Sequence, residues 1–475
     1  MALGSWQLLL GMLHVGLALG VSAHIVLTKR DVRSAIGWTG LVWLTPVVGS
    51  VLYVSFGINR IRRRAGRMRR RPGAPGRAPH PPRGPRFSAE TPVPLRALAT
   101  LVGALTRAPL VPHNKVDVLV NGDEAYPAML AAIEAASRSV GLVTYIFDRG
   151  EVADRFVDAL ARAAGRGVAV RVLIDGVGAR YSHPPIVREL RRRGVTVARF
   201  LPSAVPILHP YVNLRNHRKL LVADGATAFC GGLNIRDACL LALAPPSPTQ
   251  DLHFRLDGPV VRQLMQAVAF DWHFTTGETL AGPVWFPHLD PAGDVFARGI
   301  ADGPDEDFET LLVTLLGALS QATRSVRIVT PYFLPDAPVL DAFHVAALRG
   351  VRIEILLPRR GNLRLVQWAA MAQLGRVLGD GCEVFLTPPP FDHSKLFVVD
   401  DAWALIGSAN WDPRSLRLNF EYTVECYSEA LAGRLNRVID AKLAGAERLV
   451  LATLEQRPFL SKLRDGVAWL AQPYL

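Results

Sequence analysis

Cysteine and lysine are both scarce in this chain. Its 475 residues hold four cysteines, Cys230, Cys239, Cys382 and Cys426, with neither CxxC pairs nor dense spacing. That excludes a disulfide framework and cysteine-based zinc sites, and predicts buried reduced thiols in a cytosolic body. Only six of the 54 basic side chains are lysine. Acidic residues are missing between Gly57 and Ala89, where eleven arginines stand. Together with the loop Lys29-Arg30-Asp31-Val32-Arg33, that run carries the entire net charge of +13. The chain from Phe87 onward is neutral, so it lacks the basic footprint that gripping a nucleic-acid backbone requires.

What is present is apolar. Half of the residues are hydrophobic, and the length suffices for two or three domains. Two apolar stretches, 4–27 and 34–56, are each long enough to cross about 30 Å of hydrocarbon. They predict a transmembrane helical hairpin over 1–57, with Pro46 tolerable because a neighbouring helix can shield the freed carbonyl. The first stretch lacks the basic start of a cleaved signal peptide. The arginines of 60–71 place the following side, and with it both termini, in the cytoplasm. Residues 58–111 read as a linker whose Arg-, Pro- and Gly-rich part cannot fold alone. It can attract an anionic membrane surface, at about 1 kcal/mol per basic residue. Leu95, Leu98, Leu101, Val102 and Leu105 recur at helical spacing, as an interfacial helix or as one packed on the following domain.

From about Val116 strands and helices alternate, and the order occurs twice. Ala135-Ala136-Ser137-Arg138-Ser139-Val140 runs into Leu142-Val143-Thr144-Tyr145-Ile146-Phe147. Ser320-Gln321-Ala322-Thr323-Arg324-Ser325-Val326 runs into Arg327-Ile328-Val329-Thr330-Pro331-Tyr332-Phe333. A helix and a matching strand follow each, opening on Arg166-Gly167-Val168 and Arg349-Gly350-Val351. The period is too long for a solenoid, so the expectation is an α/β protein of two pseudo-symmetric lobes, 112–285 and 286–475, with mixed sheets packed face to face.

Each half carries one H-x-K-x4-D: His217, Lys219 and Asp224, then His393, Lys395 and Asp400. With so few lysines chance predicts well under one H-x-K, yet three occur. The third, His113-Asn114-Lys115, has Val120 where the acid belongs and reads as an accident. Residues i and i+2 of a strand face the same way, so each histidine and lysine project together into one cleft. Cations around phosphate oxygens, a nucleophile and a proton donor for the leaving oxygen are what phosphoryl transfer needs. A lone H-x-K is usually a surface pair; two complete motifs in a duplicated frame are not.

These residues, with Gly231-Gly232-Leu233-Asn234, Gly407-Ser408-Ala409-Asn410 and Leu418-Asn419-Phe420-Glu421, resemble the phospholipase D superfamily and within it the bacterial cardiolipin synthases. The apolar hairpin and the C-terminal Trp469-Leu470-Ala471-Gln472-Pro473-Tyr474-Leu475 are similar to that family as well. The resemblance implies phospholipase D-like lobes sharing one active site. It implies a phosphatidyl-histidine on one histidine, with the other as acid and base. Lys219, Lys395, Asn234 and Asn410 would hold the phosphate. Asp251 and Glu421 would orient the histidine of the opposite half. Asp224 and Asp400, grouped with the catalytic motifs, would be structural partners within them. No metal and no cofactor is implied, because the lysines supply the charge. The substrates would be phospholipids and the location a bacterial inner membrane, with cytoplasmic lobes. One departure is Asp392, an acid beside His393 where an apolar residue is expected; it either adds a negative charge near the site or points away from it on the other strand face. A carboxylate near the ring favours protonated His393, the arginines flanking His217 favour a neutral nucleophile, and the superfamily resemblance implies the first-motif histidine as well, so His217 is expected to attack and His393 to donate.

The resulting expectation is a phosphatidyltransferase that joins two phosphatidylglycerol molecules and releases glycerol. A hydrolase, or a transferase using phosphatidylethanolamine, needs the same half-reaction and stays open. A nuclease is disfavoured by the neutral body, and a non-catalytic tethered protein by two intact motifs. The oligomeric state is not legible.

Overall fold

The computed structural model describes residues 2–29, 32–45, 47–57, 95–106, 108–202, 214–304 and 309–472. The basic run of 58–90 lies outside them, and so does its expected contact with lipid. The chain divides into two units, Met1–Arg67 and Met68–Leu475.

In the first unit, helix Ala2–Thr28 contains a 20-residue stretch, Leu9–Thr28, long and apolar enough to cross a membrane. The second apolar stretch is not one continuous helix. It is helical over Val32–Leu44 and again over Val48–Leu52, followed by a π turn at Tyr53–Gly57. The sequence between the two helical pieces includes Pro46, a residue with no amide hydrogen to donate to a helical ladder. The pieces pack on one another through Ala18, Ile25, Val42 and Tyr53. Polar ties also join them: Trp43 Nε1 donates to Ser22 Oγ (3.1 Å), and His24 Nδ1 meets the Tyr53 hydroxyl (2.8 Å).

In the second unit the duplication is a two-fold repeat of one strand order. The first lobe comprises β1 (Val111–Val120), β2 (Ser139–Thr144), β3 (Ala169–Asp175), β4 (Val197–Phe200), β5 (Leu220–Ala223), β6 (Thr227–Gly231), β7 (Thr249–Gln250) and β8 (Leu252–Asp257). The second comprises β9 (Val295–Asp302), β10 (Ser325–Val329), β11 (Arg352–Pro358), β12 (Glu383–Thr387), β13 (Phe391–Asp392), β14 (Leu396–Val399), β15 (Trp403–Gly407), β16 (Glu421–Tyr427) and β17 (Glu447–Leu449). The first sheet runs β1-β8-β6-β5-β2-β3-β4, and the second repeats it as β9-β16-β15-β14-β10-β11-β12, with β17 added. Both are mixed: β2, β3 and β4 pair in parallel while β5, β6 and β8 pair antiparallel. The inner faces pack on each other as expected, with Val222, Ala228 and Phe254 sharing a core with Val398, Ala404 and Ile406. In addition β1 and β9 pair antiparallel, so each lobe covers the other's bare edge and the strands form one 15-stranded sheet.

Local chemistry explains why the repeat survives in sequence. Arg166 Nη2 donates to the carbonyls of Glu134 (2.8 Å) and Ala136 (3.2 Å), capping helix Asn121–Ala135. Arg349 does the same for helix Thr310–Gln321 through Ser320 O (2.8 Å) and Ala322 O (2.5 Å). Helix Arg96–Thr106 buries Leu98, Ala99 and Val102 in the second lobe's outer core. It falls within 58–111, read above as linker; its covered apolar face makes it a packed helix, not an interfacial one. The three residues of the accidental H-x-K lie in β1, where Asn114 Nδ2 donates to Val295 O (3.0 Å) at the seam between the lobes. All four cysteines are buried and unpaired.

Candidate active site

The two histidines reach one cleft because each motif is bonded to the opposite lobe. His217 N donates to Phe420 O (2.9 Å), and His393 N donates to Gln250 O (2.7 Å). Phe420 and Gln250 each precede an acid, so the same bridges set Glu421 beside His217 and Asp251 beside His393. His393 Nδ1 lies 2.7 Å from Asp251 Oδ2, and His217 Nδ1 lies 3.0 and 3.1 Å from the two Glu421 oxygens. A carboxylate accepting the Nδ1 proton leaves Nε2 of each ring as the free nitrogen.

The support under each acid differs between halves. Glu421 accepts from Ser408 Oγ (2.5 Å) and Asn419 Nδ2 (3.1 Å). Asp251 accepts from its neighbour Leu252 N (2.8 Å) and lies against Gly232, where a Cβ would come within 2.2 Å of Oδ1. Gly231 and Gly407 have φ of +155° and +146°, and a Cβ at either would strike a strand carbonyl, Leu252 O or Tyr422 O. Glycine is required at both.

A cavity of about 220 Å³ opens between the rings and is lined by His217, His393, Asn234, Asn410, Tyr145 and Tyr332, with Arg215, Arg236 and Arg414. Lys219 and Lys395 are buried beneath it. Lys219 Nζ donates to His217 O (2.6 Å), Lys395 Nζ donates to His393 O, and Lys219 lies 5.5 Å from the Tyr145 ring centre. Asn234 Oδ1 accepts from Ile146 N (3.1 Å), and Asn410 Oδ1 is buried with no partner among the described residues.

Asp224 and Asp400 are not in the cleft, which corrects their grouping with the catalytic residues. The strand after each lysine carries them to the far end of the sheet, where each cradles a turn. Asp224 accepts from the amides of Ser137, Arg138 and Ser139 at 2.7–2.9 Å, and Asp400 from those of Thr323, Arg324 and Ser325 at 2.7–2.9 Å. Their carboxyls sit below the usual range: those amide hydrogen bonds outweigh the upward push of burial.

Asp392 takes the second of its two expected placements, which removes its expected effect on His393. It is buried on the other face, where Oδ1 accepts from Ser394 N (3.0 Å) and Oδ2 pairs with Lys442 Nζ (2.7 Å). Asn216 stands in its place in the first motif, bonded to Asp271 (2.8 Å). Asp392 therefore does not favour protonated His393. Arg218 likewise points away, to Asp271 Oδ1 (2.6 Å). Burial lowers both histidines, His393 to about 4 with Lys395 adding to the shift. Burial also pushes Lys219 down to about 7 and lowers Lys395. Asp251 and Glu421 stay below the carboxylate range, because the surrounding cations outweigh burial.

Four groups able to carry positive charge thus share a cleft with two such carboxylates, and an anion is the natural complement. Binding an anion there must raise the lowered lysine and histidine values and draw in protons. Sulfate, a stand-in with no proton to exchange near neutrality, is expected to bind with net proton uptake. Its affinity should rise as pH falls through 7, by at most about tenfold per pH unit for each proton taken up. Calorimetry in buffers of different ionisation heat measures this; proton release would refute it.

Some contributors were not anticipated from sequence. Tyr145 and Tyr332 meet the edges of His217 and His393 at 5.2 and 6.2 Å between ring centres. Their signal was their matching place in the two repeats. Asp175, at the end of β3, accepts from Asn216 N (2.9 Å) and fixes the backbone entering the first motif. The repeat has Pro358 there, so duplication offered no hint.

Comparison with known proteins accords with the duplicated architecture. The family model of the cardiolipin synthase PLD-like domain matches residues 129–242 and 315–443, one range in each lobe. The chain belongs to this family. The major cardiolipin synthase of Bacillus subtilis (strain 168) is 31% identical over 94% of this chain and 95% of its own length. The cardiolipin synthase of Alkalihalophilus pseudofirmus is 32% identical over 100% of this chain and 95% of its own. Among solved structures, a phosphatidylserine synthase of Haemophilus influenzae matches with a TM-score of 0.60 at 14% identity, covering 80% of this chain and 100% of that one. At that identity the likeness is one of fold. Each matched range contains one H-x-K pair, His217 with Lys219 in the first and His393 with Lys395 in the second, and the two histidines line one cleft.

Proposed function

We propose that this protein transfers a phosphatidyl group from one phosphatidylglycerol to the hydroxyl of a second, forming cardiolipin and releasing glycerol. The observation that carries it is the crossed pairing, each Nε2 free in a cationic cleft because a carboxylate of the opposite lobe holds Nδ1. In the first step His217 Nε2 attacks phosphorus. The bond from phosphorus to the glycerol oxygen breaks, and His393 gives that oxygen a proton. In the second step His393 takes the proton of the acceptor hydroxyl, whose oxygen displaces His217. Lys219, Lys395, Asn234 and Asn410 hold the phosphate oxygens as charge builds on them. We read 1–57 as a two-crossing anchor, the Arg-rich run of 58–90 within the 58–111 connection as the part that contacts anionic headgroups, and 112–285 and 286–475 as the lobes, on the cytoplasmic side of a bacterial membrane.

Defined lipids test the acceptor. With phosphatidylglycerol alone, cardiolipin and glycerol should form in equal amounts. Phosphatidic acid as the main product would make the protein a hydrolase. Preferential consumption of added phosphatidylethanolamine would change the acceptor but leave the first step intact.

A further inference from the structure

The C-terminal helix Phe459–Leu470 turns an apolar face outward. Phe459, Leu460, Leu463, Val467 and Leu470 are between 51% and 75% exposed. All five fall within one sector of about 100° around the axis. Exposed Lys462 and Arg464 stand on its two borders, and buried Asp465 and Ala468 on the opposite side. Asp465 is neutralised by Arg457 (2.5 Å) and Arg464 (2.8 Å), so the charge offered beside the face is positive.

This helix is fixed to the cleft. Just after it, Gln472 Nε2 donates to Leu334 O (3.1 Å), two residues beyond Tyr332. Arg457 and Arg464 line a second cavity of about 280 Å³, walled by Phe333, Leu357, Met371 and Leu374. Tyr332, Leu363 and Val366 line both this cavity and the catalytic cleft. Leu363 and Leu365 are also 50% and 44% exposed near that shared wall. An apolar face, a basic border and a cavity that shares the wall of Tyr332, Leu363 and Val366 with the catalytic cleft fit a lipid surface better than a protein partner.

We propose that the C-terminal helix docks the catalytic unit onto an anionic bilayer, seating the mouth of the cleft at the lipid surface independently of the N-terminal helix. The inference goes beyond the transfer reading, and only its activity test rests on that reading. The full chain is reconstituted in vesicles of phosphatidylglycerol and phosphatidylcholine with a fluorophore on Leu463→Cys. The native cysteines, all buried, leave the new thiol as the reactive one. The label should be quenched by doxyl lipids and shielded from aqueous iodide, whereas a label on Arg192→Cys should show the reverse. A 463 label behaving like the 192 label would overturn the proposal. Protection that follows protein concentration and ignores doxyl lipid would also overturn it, pointing to a second copy. In the activity arm, Leu460→Glu with Leu463→Glu should cut turnover of vesicle lipid about tenfold, and that of monomeric short-chain phosphatidylglycerol by less than about twofold. Equal losses on both substrates would reject docking. A protein inactive on either lipid, yet with a doxyl-quenched 463 label, would keep the docking and reject the transfer reading.

Discussion

Replacing His217 or His393 by alanine is expected to lower turnover by about 10⁴- to 10⁶-fold, because nucleophile and proton donor act as one unit. The two variants should nevertheless part on a lipid whose leaving group is an acidic phenol. Such a group departs without a proton, so it bypasses the acid. His393→Ala should then still form the phosphatidyl-enzyme, trapped by a denaturing quench, and stall there because nothing activates the acceptor. His217→Ala should form none. The surroundings separate the rings weakly. Each is lowered by burial and each gives Nδ1 to a carboxylate. With Asp392 committed to Lys442, the choice of His217 as nucleophile rests on the superfamily resemblance. Label recovered on His393 in the unaltered protein would exchange the roles. Inversion at phosphorus with no adduct would reject covalent catalysis.

The parts of this site legible in the sequence are those that duplication wrote twice. The H-x-K pairs, Asn234 with Asn410, and the turns cradled by Asp224 and Asp400 recur at matching places, so each copy vouched for the other. The signal fixed recurrence rather than role, which is why two turn-holding aspartates travelled with the catalytic motif. Features present once were hidden. Asp175 has no counterpart, the Asp392–Lys442 pair joins residues 50 apart, and Ser408 stands where the first half has Gly232. The pairing of β1 with β9 was also out of reach, since strand edges carry no pattern that names their partner. Helix Arg96–Thr106 shows the converse. Its apolar stripe was evident, but its partner, Gly317 against Leu101, lies more than 200 residues away.

The acids that orient the rings should tolerate loss of charge unequally, though each is buried and each touches one imidazole. Asp251→Asn is expected to lower kcat by about 10⁴-fold and Glu421→Gln by about 10²-fold, the first resembling the wrong-tautomer effect known for an Asp-to-Asn change in a triad. Asp251 has two demanding neighbours, Leu252 N at Oδ1 and His393 Nδ1 at Oδ2. Leu252 N can only donate, so the asparagine oxygen must face it and the amide nitrogen must face His393. That forces the ring into the tautomer with its proton on Nε2, the atom that has to receive one. Glu421 is more forgiving. Its Oε2 neighbour is Ser408 Oγ, a hydroxyl that can turn to accept from a glutamine nitrogen and donate instead to Tyr422 O, 3.3 Å away. Glutamine can then keep its oxygen toward His217 Nδ1 and Asn419 Nδ2, so tautomer and position survive and only the charge facing an imidazolium is lost. Thermal unfolding checks that both variants fold, and pH profiles of kcat then separate positioning from simple damage. Glu421→Gln should retain the shape of the profile, whereas Asp251→Asn should change it. Equal losses, or a larger loss for Glu421→Gln, would show that charge rather than tautomer is what these acids supply.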